Sequence, residues 1–387
     1  MKLPIDLKAV IEAATDIESA RSTPVSVSVL IDDSAPGDVA AHVRSAFVGA
    51  GAHARVTVGY FAGPAFSPYE GDDMAVIVAG FSEEVGRRAA EIRAAGVPVM
   101  VVTSMPSLVA DMASAYGNPI PEGDLVAPEG VEGCEADGKA ACASGEVAGA
   151  HVSVFTGIRA AKSAGAGAAA GFAGAAASSP DALDAPIPID AAAACALDRR
   201  MGEWVVAACR EKRLALALSF PFVRKPLSLE AVSATSLQNA GIGLVLFIPG
   251  ADMPLMTLNQ AKMLLQIAAA YGEPMSAARV KELAAIVAGG FACRSVARQV
   301  AGAVPAIGWA VKAGVGYAGT KAMGLAAVEY FERGGNIAGL AGVVSTATAK
   351  ATQIAGDVAA TPAGARVLST VKTAVRQGAA SVLKKTE

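Results

Sequence analysis

The sequence "VLIDDSAPGDVAAHV", residues 29–43, passes from an apolar run into a helix-forming stretch. The run that it continues, "VSVSVLI" at 25–31, is rich in Val and Ile, as strands of buried parallel sheets are. A loop between such a strand and a helix is where many nucleotide-binding proteins hold a phosphate. The function of the N-terminal half therefore depends on what this loop contains.

Further apolar runs follow at regular intervals, and they alternate with helical patterns. The predicted strands after 25–31 are "ARVTVGYF" (54–61), "MAVIVAG" (74–80) and "VPVMVV" (97–102), with "HVSVFTG" (151–157) as a candidate fifth. Between them, helices are predicted over 38–51 and from Ser82 to Gly96. Alternation of strands and helices predicts an α/β domain with a parallel sheet.

The loop at 32–39 departs from the pattern of a phosphate loop, G-x-x-x-x-G-K-[ST]. On that template, Asp32 replaces the first Gly, Asp38 replaces the Lys and Val39 replaces the hydroxyl residue, so that only Gly37 matches. Asp32, Asp33 and Asp38 would repel a polyphosphate, at roughly 1–3 kcal/mol for each charge pair near 5 Å. The loop is predicted not to bind a nucleotide.

Two other GTPase motifs also lack their chemical groups. The D-x-x-G motif would fall on "YFAG", Tyr60 to Gly63, without its Asp, and the guanine-reading motif on "TSMP", Thr103 to Pro106, without its Lys and Asp. The order of elements favours a degenerate P-loop-GTPase-like domain, with an unrelated α/β domain as the alternative. Neither catalysis nor a cofactor is predicted.

Composition changes along the chain indicate four segments. A degenerate GTPase-like α/β domain is predicted over 1–160, with a Gly-, Pro- and acid-rich loop from Tyr116 to about Gly149. An Ala/Gly/Pro-rich linker covers 161–190, an all-α domain of close-packed Ala/Gly-rich helices covers 191–335, and a basic amphipathic tail covers 336–387.

Charge divides the chain into an acidic and a basic half. Residues 1–198 hold 11 Lys and Arg against 25 Asp and Glu, whereas residues 199–387 hold 21 against 10. The basic half indicates an anionic partner, and a membrane surface is favoured because no module or basic–aromatic pattern typical of nucleic-acid binding is present.

The five cysteines form no metal-binding motif, and their scatter suits reduced thiols in the cytoplasm. They are Cys134, Cys142, Cys195, Cys209 and Cys293.

The C-terminal half carries a more specific pattern. It has a P-x-x-D-x-P turn at Pro249, Asp252 and Pro254, then a helix, a P-x-x-G break at Pro305 and Gly308, and a small-residue helix that ends in Tyr330–Phe331. From about Thr235 to Gly335 the chain resembles the YcjF-like domain of unknown function, a bacterial helical domain. The helix carries the resemblance through Thr257, Gln260, Met263, Ile267, Ala268, Tyr271 and Gly272. The resemblance implies association with the inner membrane and a position behind a GTPase domain, and it brings no catalytic residues.

Polar residues occur in the two helices that the predicted turn connects, and one of them lies in the turn itself. These candidate interaction residues are Gln238, Asn239, Asp252, Asn259, Gln260 and Lys262. Hydrogen bonds between the helices are the favoured role, and contact with a partner is the alternative. Gly316, Thr320 and Gly324 stand at four-residue spacing, which lets helices approach closely in a membrane or in a water-exposed bundle.

These patterns together predict a non-catalytic, membrane-associated protein. Its GTPase-like domain would be a platform, and its helical domain would bind an anionic membrane surface or a protein partner, such as a GTPase. The expected location is the cytoplasmic side of the membrane, peripheral or hairpin-inserted, or else the cytoplasm. The alternatives are a nucleotide hydrolase with an atypical phosphate loop and a scaffold without a lipid role; pathway and oligomeric state are left open.

Overall fold

The computed structural model describes residues 7–51, 53–62, 71–128, 187–245, 252–276 and 308–336, together with residues 339, 340, 342 and 346. These residues belong to two compact units. The α/β unit is drawn from 26–49 and 55–204, and the helical unit from 1–25, 50–54 and 205–387. The α/β unit is therefore inserted, in sequence, between the first helix and the remaining helices of the helical unit.

The described strands and helices alternate in the first half and are followed by helices alone. The strands are β1 (Val25–Ile31), β2 (Ala54–Tyr60), β3 (Met74–Val78), β4 (Val99–Val102) and β5 (Leu125–Val126). The helices are α1 (Leu7–Arg21), α2 (Gly37–Val48), α3 (Glu84–Ala94), α4 (Pro106–Ala115), α5 (Ala191–Ala208), α6 (Arg213–Ser219), α7 (Pro221–Val245), α8 (Asp252–Ala270) and α9 (Gly308–Glu332). The predicted succession of an α/β region and a helical region is confirmed.

The five strands form one parallel sheet in the order β2-β1-β3-β4-β5. The register pairs Val27 with Met74, and it pairs Ala75 with Val99. This is a doubly wound order, in which the chain leaves β1 toward one edge of the sheet and later returns past β1 toward the other. The carboxyl ends of β1 and β3, where the direction reverses, are the usual place for a ligand site.

The fifth strand differs from the prediction. It is Leu125–Val126, which follows a short 3-10 turn at Glu122–Asp124, inside the segment that was predicted to be a long loop. A strand of two residues has no periodicity of its own, so only its pairing with β4 reveals it. The candidate strand at 151–157 lies outside the described residues.

Helices cover both faces of the sheet. Successive residues of a strand point to opposite faces, and Ala75 and Ile77 pack with Val85 of α3 and Val109 of α4 in one core. Val76 lies on the other face and is fully buried, and α2, which buries Val39, Val43 and Phe47, contacts β3. Gly96 ends the α3 region at a φ of +83°, as the sequence predicted.

The helical unit is built around α7, α8 and α9, and α1 completes it. Val10 and Ala14 of α1 are buried in the same core as Leu264 of α8 and Met323 of α9. At the end of α1, the Arg21 guanidinium donates to the carbonyls of Gly272 and Glu273 at 3.3 and 2.5 Å. Arg21 therefore connects the end of α1 to the turn that follows α8.

Candidate functional site

The candidate site in the α/β unit is the group of loops at the carboxyl ends of β1 and β3. Asp32 follows β1 directly and is only 3% exposed. Its Oδ1 accepts the amide of Ser34 at 3.1 Å, and its Oδ2 accepts the Ser34 hydroxyl at 2.9 Å. Oδ2 also accepts the amides of Gly80 at 2.9 Å and Ser82 at 3.3 Å, from the loop after β3. One carboxylate thus joins the two loops.

The two loops also touch through their backbones. The carbonyl carbon and oxygen of Ser34 lie 2.3 Å from where a Cβ on Gly80 would be, which is closer than any real side chain tolerates. The Ser34 hydroxyl accepts the amide of Phe81 at 2.8 Å. Gly80 is therefore required for close approach, and no room for a phosphate remains between Ser34 and Gly80.

The other carboxylates of the 32–39 loop also bind backbone amides. Asp33 accepts the amide of Ala62 at 2.7 Å. Asp38 lies in the first turn of α2 and accepts the amides of Val39 at 2.9 Å and Ile189 at 3.1 Å. Gly37, the single residue that matches a phosphate loop, has nothing within 4 Å of a built Cβ. The loop thus has no steric need for glycine at that position.

The end of β4 adds two buried hydroxyls to this edge of the sheet. Thr103 is fully buried, and its Oγ1 accepts the amide of Met105 at 3.1 Å. Ser104 is 1% exposed; its carbonyl accepts the amide of Ile187 at 3.2 Å, while its hydroxyl has no hydrogen-bond partner within the described part of the chain. Neither side chain is the Lys or Asp that reads guanine, and the Thr103 hydroxyl stabilises the turn into α4.

Helix α5 is fixed to the α/β unit at several points. Asp198 accepts a hydrogen bond from His42 of α2, with 2.8 Å between Oδ1 and Nε2, and this bond raises the pKa of His42 above its usual value. Arg200 donates to the carbonyl of Ala127 at 2.8 Å. The Trp204 indole lies 3.4 Å from Oδ1 of Asp124.

A second buried carboxylate lies at the opposite, amino edge of the sheet. Asp72 accepts the hydroxyls of Ser26 and Ser28 of β1 and the guanidinium of Arg55 of β2, the last at 2.9 Å. Asp73 accepts the amide of Ser26 at 2.9 Å. The partners of Asp72 make it a junction of β1, β2 and the start of β3.

In the helical unit, several predicted interaction residues form a buried polar layer. Asn239 of α7 donates to the Thr320 hydroxyl of α9 at 2.9 Å, and Gln260 of α8 donates to the same oxygen at 2.7 Å. Asn259 donates to the Asn239 side-chain oxygen at 3.1 Å. Asn239 and Thr320 are 0% exposed, and Gln260 is 1% exposed. This layer, Asn239–Asn259–Gln260–Thr320, has the hydrogen bonds between helices that the sequence favoured.

The other predicted interaction residues do not join this layer. Gln238 and Lys262 are exposed to solvent. Asp252 is the first residue of α8, and the sequence had placed it in the turn that precedes this helix. Asn239 and Gln260, which are buried, and Asn259, which is half-buried, therefore connect helices, whereas Gln238 and Lys262 face solvent.

Small residues bring α7 and α9 into close contact beside the polar layer. A Cβ on Gly324 would lie 2.4 Å from a methyl of Val232, and one on Gly316 would lie 3.2 Å from the Asn239 carbonyl oxygen. With Thr320 between them, these residues form one face of α9 at four-residue spacing. The predicted small-residue face is the contact face of this helix.

Two further expectations concern cysteines and membrane spans. Within the described ranges, Cys209 is a buried free thiol, whereas Cys195 is disulfide-bonded, so the expectation of reduced thiols is wrong for Cys195. No helix among the described residues is long and apolar enough to cross a membrane. The same residues contain no group of three or more His, Cys, Asp or Glu side chains that could hold a metal ion.

Sequence reasoning did not find the partners of the two buried carboxylates. The signal for Asp32 is the spacing D-x-S, in which an Asp accepts the amide two residues later in an Asx turn. The signal for Asp72 is the pair Ser26 and Ser28, which interrupts an apolar strand and needs a buried partner.

Comparison with known protein families, curated proteins and solved structures finds no match to this chain.

Proposed function

We propose that the chain is a non-catalytic protein that works by binding. In this proposal the α/β unit is a degenerate, GTPase-like scaffold without nucleotide chemistry. The helical unit binds an anionic membrane surface on the cytoplasmic side of the cell membrane, or a protein partner such as a GTPase. The observation that carries the proposal is the Asp32 carboxylate, which accepts the amides of Ser34, Gly80 and Ser82.

The argument from Asp32 is one of competition for the same donors. A phosphate at the carboxyl end of a parallel sheet is bound by backbone amides of the loops and by a neighbouring cation. Here the amides of three loop residues already bind a carboxylate inside the protein. Exchanging it for a nucleotide would leave a buried anion without partners next to a second anion, which costs several kcal/mol.

The GTPase-like ancestry of the α/β unit stays a prediction. The strand order 2-1-3-4-5 is shared by doubly wound domains of several functions, flavodoxin-like ones among them. The proposal of a scaffold does not depend on that ancestry, because it follows from the occupied amides and the missing Lys.

A nucleotide titration tests the scaffold role against the alternative of an atypical hydrolase. Isothermal titration of the full chain with GTP and with ATP, each with Mg²⁺, is expected to show no saturable binding tighter than about 1 mM. Micromolar binding that is lost in Gly37→Val would overturn the proposal. This variant is suitable because the space around Gly37 is open, so that the substitution leaves the loop intact.

The membrane role is supported by the charge of the second half, which holds 21 Lys and Arg against 10 Asp and Glu. Each well-placed cation contributes about 1 kcal/mol at an anionic surface. Flotation with vesicles that contain phosphatidylglycerol is expected at low salt, with weaker flotation at moderate salt and none with phosphatidylcholine alone. A protein that stays at the bottom of the gradient in every case contradicts the membrane role. The remaining alternative is then that the helical unit binds a protein partner.

A further inference from the structure

The two edges of the sheet differ in how they are protected. Edge strands expose unpaired amides and carbonyls, and proteins blunt them by shortness, proline, bulges or charge. β5, at one edge, has only two residues. β2, at the other edge, has seven, "ARVTVGY", with no Pro and no Lys. Its single charge, Arg55, is directed to Asp72 and Ser26. Among the described strands, β2 alone is a long edge strand without these protections.

The hydrogen bonds to β1 show which groups of β2 face outward. The Phe61 amide donates to the Ile31 carbonyl at 3.0 Å, and the Val25 amide donates to the His53 carbonyl at 3.0 Å. In a parallel strand the amide and the carbonyl of one residue point to the same side, and the side alternates along the strand. The odd-numbered residues therefore face β1. The outward groups are the amides and carbonyls of Val56, Val58 and Tyr60 and the carbonyl of Ala54, because the Ala54 amide already donates to the Gly51 carbonyl at 3.0 Å.

We propose that β2 pairs with β2 of a second copy of this chain, antiparallel and with the two-fold axis at Thr57. In this register, Val56 is opposite Val58, and Ala54 is opposite Tyr60. Val56 and Val58 form a full hydrogen-bonded pair that occurs twice because of the symmetry, and at each end the Tyr60 amide donates to the Ala54 carbonyl of the other copy. Every outward amide that is not already bonded within the chain then has a partner. An axis at Val56 or Val58 would place Tyr60 or Ala54 opposite a residue outside β2.

The side chains of β2 also suit a copy of themselves. The pairing joins the branched side chains of Val56 and Val58, and it places two Thr57 residues opposite each other, both of which are favourable cross-strand pairs. Arg55 is opposite Gly59, so no like charges meet. Tyr60, which is 45% exposed, would cover the small side chain of Ala54. Self-complementarity of this kind is what a two-fold interface requires of a single surface.

Cysteine cross-linking tests this register directly. Thr57 is exposed and forms a non-hydrogen-bonded pair with itself, in which the Cα atoms lie about 4.5 Å apart, within disulfide reach. The variant Thr57→Cys is expected to form a covalent dimer under mild oxidation at least tenfold faster than Val48→Cys. Val48 is a matched control because it is 66% exposed on α2. Equal rates in the two variants would overturn the register.

Sedimentation equilibrium of the full chain tests the interface without a cross-link. The wild type and Thr57→Val are expected to dimerise. Thr57→Lys, which brings two ammonium groups together, is expected to raise the dissociation constant by about 5-fold or more. A wild-type chain that stays monomeric at all micromolar concentrations overturns the proposal and leaves the β2 edge to an extended peptide of another protein.

Discussion

The two units of this protein bury polar groups in different ways. In the α/β unit, the buried carboxylate of Asp32 binds main-chain amides of two loops. In the helical unit, Asn239, Gln260 and Thr320 bind one another through their side chains. Loops carry amides that the sheet does not use, whereas helices satisfy their own amides internally. The comparison shows that the first arrangement fixes backbone loops and the second fixes the alignment of three helices.

The largest effect is expected where the two loops of the α/β unit touch. Gly80→Ala should destabilise this unit by about 3 kcal/mol, because its Cβ would lie 2.3 Å from the Ser34 backbone, which cannot move without breaking the Asp32 hydrogen bonds. Gly37→Ala is the control, and its free energy of unfolding should change by less than about 0.5 kcal/mol. Urea unfolding measures both. A Gly80→Ala protein as stable as the wild type would show that the loops are not in contact.

The polar layer of the helical unit should respond to loss of its shared acceptor. Thr320→Val leaves the buried amides of Asn239 and Gln260 without their common partner, and the expected destabilisation is about 2 kcal/mol. Thr320→Ser keeps the hydroxyl and loses one methyl, at about 1 kcal/mol. Hydrogen exchange should show faster opening of α7 and α9 in Thr320→Val only. If Thr320→Val loses less stability than Thr320→Ser, apolar packing contributes more to this layer than its hydrogen bonds do, and the prediction is wrong.

The joint between α1 and α8 gives a smaller effect. Arg21→Ala removes the hydrogen bonds to the carbonyls of Gly272 and Glu273 in the turn after α8, with an expected loss of about 1 kcal/mol for the helical unit. Arg21→Lys keeps the charge but not the two-pronged donor, so it should recover only part of the loss. Urea unfolding with hydrogen exchange of α8 is the measurement. Unchanged exchange at the end of α8 in Arg21→Ala would contradict a stabilising role of these hydrogen bonds.

The smallest effect concerns the contact of α5 with α2 and depends on pH. Because the hydrogen bond to Asp198 raises the pKa of His42, the contact stabilises the folded state fully below the unfolded pKa of about 6.5. The stabilisation is lost as the pH rises through the pKa that His42 has in the folded protein. The pair is partly exposed, so less than about 1 kcal/mol is expected. The stability difference between wild type and His42→Gln should be larger at pH 6 than at pH 8.5, and a larger difference at pH 8.5 would contradict the assignment.

The sequence predicted four of the five strands because runs such as 74–80 and 97–102 are rich in Val and bounded by Gly and Pro. It did not predict β5, which pairs with β4 over two residues, nor the order of the strands, because neither leaves a periodic signal. It also missed α1. The buried residues of that helix, Val10, Ala14 and Ile17, pack with residues more than two hundred positions later.

The candidate sites were predicted in part. The misfit of Asp32, Asp33 and Asp38 to a phosphate loop could be read from the residue types, but their acceptance of backbone amides depends on loop geometry. In the helical unit, Asn239 and Gln260 were recognised because polar residues are rare in that apolar sequence. Their common partner, Thr320, was noted only for its small size, since its role requires α9 to lie beside α7 and α8.

The most direct test of the account is amide hydrogen exchange at Ser34 and Gly80, measured without nucleotide and with GTP and Mg²⁺. If Asp32 occupies these amides, both should exchange slowly in the free protein, and GTP should leave their rates unchanged. Fast exchange in the free protein, slowed by GTP, would mean that the amides await a phosphate, and it would contradict the proposal of a scaffold without nucleotide chemistry.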